Sequence, residues 1–244
     1  MKRNLLNEEY LKEFITTNQG PSVKYRWSHG ATDFHLGDGL LVYALIQFKR
    51  AKTCVCIGSG GGFIPRIMTQ ARQDLYSQNI FEGSDSLEWG DIGTTIVVDA
   101  NNGVGGNIDW KEEDSFLRKH FHPRVILESS QDAYYNFFVK EDIKIDYLHI
   151  DGDHSFEGVK KDFELYSNLV TNDGIISIHD TDRTYSESHI IPEDTKPDHL
   201  SYAGPAQFVE EMNLGGWQKF DLFNHKSELH QPSSTGLTLL RKIH

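Results

Sequence analysis

Short apolar runs alternate with longer amphipathic stretches along this chain. Thr53-Cys-Val-Cys-Ile-Gly58, Gly93-Thr-Thr-Ile-Val-Val-Asp99, Arg124-Val-Ile-Leu127, Asp146-Tyr-Leu-His-Ile150 and Ile175-Ile-Ser-Ile178 have the length and β-branched content of buried strands. Between them, helical spacing predicts helices over 39–50, 63–73, 112–121, 131–141 and 157–171. In the last of these Val159, Phe163, Tyr166 and Val170 make one apolar stripe, and Asn172-Asp173-Gly174 reads as its stop. Residues 7–17 predict a short N-terminal helix and 204–213 a final one. Two further strands are expected near 218–223 and 236–241.

Strands that alternate with helices argue for a parallel sheet covered on both faces. The last two strands are joined only by a loop, so they predict an antiparallel hairpin at one edge. The expected fold is α/β: a Rossmann-like, doubly wound, mostly parallel seven-stranded sheet. Residues 1–38 read as a separate N-terminal segment before a domain over 39–244. The polar stretches 74–93 and 182–203 read as an insertion and a candidate lid.

With 244 residues, 38% of them hydrophobic, the chain can build one large core. Its formal charge of −12 argues against nucleic acid and anionic membranes as partners. The N-terminus lacks the apolar core of a signal peptide, and no apolar run approaches a membrane span, which predicts a cytoplasmic protein. Cys54 and Cys56 alternate on one strand and share a face; buried small hydrophobes are a better reading than a Cys-x-Cys metal site.

The chemistry concentrates at strand ends. Ile150 leads into Asp151-Gly-Asp-His154, and Ile178 leads into His179-Asp180. Neighbouring parallel strands place their carboxyl ends beside one crevice, so Asp151, Asp153, His154, His179 and Asp180 are expected to converge. Asp153 has a second reading, as a cap for the helix that begins near Ser155. His149, inside an apolar strand, reads as a packed core histidine. His179 has a second reading as the residue that orients Asp180.

The first strand runs into Gly58-Ser59-Gly60-Gly61-Gly62-Phe63. Gly58-x-Gly60-x-Gly62 fits a loop that touches a ligand with its backbone. The nicotinamide fingerprint needs its third glycine at Phe63 and does not fit. Asp99, at the end of the second strand, suits a ribose diol.

Together these features resemble the class I S-adenosylmethionine-dependent methyltransferases. The Asp-Gly-x-His and His-Asp pair resembles their small-molecule O-methyltransferase branch, which tailors sugars and macrolides. The resemblance implies that Gly58, Ser59, Gly60, Gly62 and Phe63 flank the methionine part of S-adenosyl-L-methionine. It implies that Asp99 holds the ribose, that Ser129, Ser130 and Gln131 lie by the adenine, and that Asp151 borders the cofactor. Asp151, His179 and Asp180 would hold a divalent metal, magnesium or manganese. His154 would be the base, with Asp151 beside it.

The implied activity is methyl transfer to a small polar acceptor: a sugar, a sugar nucleotide, or a capsule or antibiotic precursor. N-methylation of a small molecule and an NAD-dependent oxidoreductase are the alternatives. Tyr25, Trp27, His29, Tyr185 and His189 are candidate acceptor-binding rings, and residues 1–38 a candidate homo-oligomer segment.

Overall fold

The structure is a computed structural model that describes residues 29–31, 36–60, 62–81, 93–100, 113, 118, 121–183, 204–222 and 235–243. The expected helices over 7–17 and 112–121, the candidate lid, and Tyr25, Trp27, Tyr185 and His189 lie wholly or mostly outside these residues.

The elements follow in the order α1 (Asp38–Lys49), β1 (Thr53–Ile57), α2 (Phe63–Phe81), β2 (Thr94–Val98), β3 (Arg124–Ile126), α3 (Ser130–Ala133), β4 (Ile145–Ile150), α4 (Phe156–Tyr166), β5 (Val170–His179), α5 (Gly204–Glu211), β6 (Trp217–Leu222) and β7 (Leu237–Lys242). α3 continues as a π-helical turn over Tyr134–Phe138. The seven strands form one sheet in the order β3-β2-β1-β4-β5-β7-β6. The β1, β2, β3, β4 and β5 pairings are parallel, and β7 runs antiparallel to both β5 and β6. The predicted edge hairpin is there, with its second strand inserted against β5.

Alternation along the strands divides the interior in two. Cys54, Cys56, Val97 and Tyr147 face a core shared with Val42 and Ile46 of α1 and Ile67 and Met68 of α2. Val55, Ile57, Ile96, Leu148 and Ile150 face the other core, with Val159 and Tyr166 of α4 and Phe208 of α5. Both cysteines are free and fully buried, as small hydrophobes would be.

Two boundaries differ from expectation. α2 runs to Phe81, so the first part of the supposed insertion is helix. Asp74 is buried there and accepts hydrogen bonds from Tyr43 Oη and Gln70 Nε2, each at 2.8 Å. These polar residues imitate a surface in the sequence while satisfying one another inside. α4 ends at Tyr166 rather than 171, because the sheet captures the chain: Ile145 N donates to Leu169 O and Val170 pairs with Ile145. Asn172-Asp173-Gly174 is therefore a bulge within β5, where the register shifts, and not a helix stop.

Candidate active site

β1, β2, β4 and β5 deliver their carboxyl ends to one side of the sheet. The backbone fastens these ends together: Gly58 N donates to Val98 O, and Asp151 N to Ile57 O. Gly58 has φ 72°, and a Cβ there would lie 2.0 Å from the carbonyl oxygen of Asp151. The glycine loop is thus pressed against the end of β4. Ser59 then donates to the Asp99 carboxylate from its hydroxyl, and from its backbone N at 3.3 Å. Phe63 opens α2, and its buried ring stacks on His29, centroids 5.7 Å apart. Its side chain is core, which leaves its backbone N–H as the group that can face a ligand.

Ser129 caps α3, accepting from Asp132 N at 3.1 Å. Ser130 accepts a hydrogen bond on its carbonyl from Tyr166 Oη at 2.7 Å. Gln131, the residue after it, is exposed.

Asp151, with 16% of its side chain exposed, is the hub of the acidic and imidazole cluster. Its Oδ1 lies 3.1 Å from His154 Nε2 and 3.2 Å from His179 Nδ1. Asp180 closes the ring, its oxygens 3.2 Å from His154 Nε2 and 3.3 Å from His179 Nδ1. Asp180 adopts a left-handed backbone, φ 58°, a strained choice for a residue with a Cβ and one that recurs at functional sites. Four of the five expected residues therefore converge. Asp153 does not: its Oδ1 accepts from Ser155 N at 2.9 Å, while Ser155 caps α4.

The cluster sets the charge states. Burial opposes ionisation of Asp151, but the imidazoles of His179 and His154 outweigh it and hold the carboxyl well below the usual carboxylate range. Burial also opposes protonation of His179, yet Asp180, Asp151 and Asp38 raise it to about 10. His154 is raised too, its burial outweighed by the hydrogen bond to Asp151 and the charge of Asp180. His149 is pushed down to about 4, chiefly by burial.

Four participants were not legible as such. Asp38, the buried first residue of α1, lies 3.8 Å from His179 Nε2. Thr235, just before β7, donates its hydroxyl to Asp180 Oδ1 and lies 3.2 Å from His179 Nε2. His149 is buried as expected, yet its Nε2 reaches to 4.0 Å from Asp151 Oδ2. His29 is no open ring for an acceptor: it is buried, 3.9 Å from Asp151 Oδ2, with its ring 4.1 Å from that of His179. Its carbonyl accepts from Asp38 N, which ties it to the start of α1. Asp38, Thr235 and His29 lie far in sequence from the groups they meet; His149 stands only two residues before Asp151, but its place in an apolar strand hides its reach toward the cluster. Two metal-sized triads result, His29 with Asp151 and His179, and Asp151 with His154 and Asp180.

Among the described residues no helix is long and apolar enough to cross a membrane. No curated protein matches the sequence. The fold is similar to that of an O-methyltransferase from Bacillus cereus in complex with S-adenosylhomocysteine, with TM-score 0.62 at 15% identity, covering 97% of this chain and 92% of that one. It is also similar to the O-methyltransferase TomG from Streptomyces achromogenes, involved in tomaymycin synthesis and bound to S-adenosylmethionine, with TM-score 0.56, 13% identity and all of both chains covered. The methyltransferase PaMTH1 of Podospora anserina, bound to S-adenosylhomocysteine, gives TM-score 0.53 at 13% identity over 97% of this chain and 95% of that one. Residues 55–181, from β1 to just past Asp180, match the model of a methyltransferase domain family. The chain belongs to that family and is an S-adenosylmethionine-dependent methyltransferase with the class I fold.

Proposed function

We propose that this protein is an O-methyltransferase of a small polar acceptor, such as a sugar, a sugar nucleotide, or a capsule or antibiotic precursor, assisted by a divalent metal. The observation that carries the reading is the meeting of Asp151, His154 and Asp180 at two adjacent strand ends, beside a glycine loop fastened to the same β4 terminus. The O-methyl and natural-product parts draw on the neighbours, among them an enzyme of tomaymycin synthesis.

In this reading Gly58, Ser59, Gly60, Gly62 and the Phe63 backbone flank the methionine portion of S-adenosylmethionine. Asp99, held by Ser59, accepts the ribose hydroxyls, and Ser129 and Ser130 border the adenine. The bound cofactor supplies an electrophilic methyl group, so the protein has to align and activate the acceptor. Asp151, Asp180 and, once an ion displaces its proton, His179 would offer two carboxylates and an imidazole to a divalent ion, a donor set that suits manganese or zinc better than magnesium. Such an ion supplies Lewis acidity that lowers the pKa of an acceptor hydroxyl. His154 faces both carboxylates, which favour its protonated form; in its neutral state it takes the proton as methyl transfer proceeds, and the carboxylates then hold the imidazolium. With His154 between them, Asp151 and Asp180 fix the imidazole in place. We place this chemistry in the cytoplasm, on the charge and hydropathy of the chain.

The test is a panel of sugar, sugar-nucleotide, phenol and amine acceptors with S-adenosylmethionine, read by mass spectrometry for methylated product and S-adenosylhomocysteine. Chelator-sensitive methylation of a hydroxyl, lost in His154→Ala, is the expected result. Turnover restricted to amines, or indifferent to chelator, overturns the O-methyl or the metal part in turn.

A further inference from the structure

Asp162 is a buried acid that the methyl-transfer chemistry does not use. It lies on α4, is 3% exposed, and burial pushes its carboxyl up to about 6 although the Ser130 hydroxyl donates to it. Burying a carboxyl costs free energy that one hydrogen bond offsets only in part, so its place calls for a reason other than holding the fold.

Tyr166 stands one helical turn further along the same face of α4. It is fully buried, and its hydroxyl donates to the Ser130 carbonyl at 2.7 Å. Its ring meets those of Tyr134 and Phe138 edge-on, with centroids 5.5 and 5.1 Å away, so the hydroxyl is itself held in place. Asp162 and Tyr166 thus grip Ser130 by side chain and main chain together, which fixes both where it sits and how it is turned.

The carboxyl of Asp162 also reaches the terminus of β4. A Cβ on Gly152 would sit 3.3 Å from Asp162 Oδ2. Gly152 in turn bears on the glycine loop, for a Cβ on Gly58 would lie 2.6 Å from its Cα. Ser130 opens α3 just beyond β3, at the same end of the sheet as Asp99, whose N donates to Ile126 O. One buried side chain therefore stands behind both the glycine loop and the start of α3.

We propose that Asp162 and Tyr166 are positioning residues for S-adenosylmethionine: through Ser130 they fix the adenine-side wall of the cleft relative to the glycine loop, and so set the preference for adenine. The inference rests on the reading that Ser129 and Ser130 border the adenine. Asp162 and Tyr166 act by removing freedom from that wall, and a wall fixed in advance binds more tightly than one that has to be ordered by its ligand.

The test titrates the full chain calorimetrically with S-adenosylhomocysteine and with S-inosylhomocysteine, which carries an oxo group in place of the adenine amino group. Asp162→Leu, Asp162→Asn and Tyr166→Phe are compared with the parent, with urea denaturation as the check of folding. The parent should prefer the adenosyl compound. Asp162→Leu and Tyr166→Phe should bind it about tenfold more weakly and lose most of that preference. Asp162→Asn, whose amide oxygen still accepts from Ser130, should stay within about twofold of the parent. A merely structural role would move stability and leave the preference alone. Unchanged affinity and preference in Asp162→Leu and Tyr166→Phe overturn the inference and leave the cofactor reading standing. A parent that binds the two compounds alike, or neither of them, overturns that reading as well. If Asp162→Leu does not fold, Tyr166→Phe decides, since it keeps the ring and removes one hydroxyl.

Discussion

Gly58 illustrates how much one missing methylene controls. Its φ of 72° and the 2.0 Å approach of Asp151 O mean that alanine would meet backbone and not a yielding side chain. Gly58→Ala should cost about 3 kcal/mol or more in urea denaturation. A loss under about 1 kcal/mol would show that the β4 end gives way. Asp162 offers a second test at this scale. It is 3% exposed, and burial raises its pKa from 3.8 to about 6, against the hydrogen bond to Ser130 that lowers it. The folded state therefore prefers the protonated acid. Its contribution is complete below the unfolded pKa and is lost as pH rises through about 6. Asp162→Asn mimics the protonated form, so it should match the parent at pH 4 and exceed it at pH 8, by up to about 3 kcal/mol. Parallel stability–pH curves would refute the assignment. Among site residues, those within Asp151–His154 and His179–Asp180 were legible because two strand ends carried matching clusters. His29, Asp38 and Thr235 were not, because a lone polar residue gains meaning only from contacts that span the chain; His149 was not, because its apolar strand neighbours point to packing alone.

Elements were legible where one physical signal dominated. The strands are short and apolar, and their ends carry glycine or acid, so their limits fell within a residue or two, apart from the early start of β5. The sequence ends α2 early because Asp74 and the polar stretch after it look solvated; in the fold Asp74 is buried and accepts from Tyr43 and Gln70, while Arg72 beside it donates to Thr95 Oγ1 and Gly93 O, each at 2.7 Å. The sequence pattern extends α4 to 171 because Val170 keeps helical spacing with Tyr166, whereas in the fold Val170 pairs with Ile145 in the sheet. The α1–α2 contact through Tyr43 and Asp74 predicts the energy of such hidden polarity. Tyr43→Phe removes a donor from a buried carboxylate and should cost about 2 kcal/mol in chemical denaturation. No change would mean that the remaining partners of Asp74 suffice.

At the scale of the molecule, the alternation of strands and helices predicted a sheet with two covered faces, and the two cores confirm it. Ligand binding acts on this whole. S-adenosylmethionine or its demethylated product at about a hundred times its Kd should stabilise the fold by about 2.7 kcal/mol. For a chain of this size that raises Tm by roughly 5–10 °C. NAD at the same concentration should leave Tm unchanged, and the reverse pattern would count against the glycine loop as the cofactor site.

Asp151 belongs to two neighbourhoods at once. Its main chain bears on Gly58, and its side chain gathers the imidazoles. A ligand held at the glycine loop and a cation held at the carboxylate would both act on this one residue. Were both filled, their occupancies would be thermodynamically coupled. Coupling is reciprocal, so the factor by which cofactor alters metal affinity equals the factor by which metal alters cofactor affinity. A single peptide unit at the end of β4 would thus tie the filling of one half to the filling of the other.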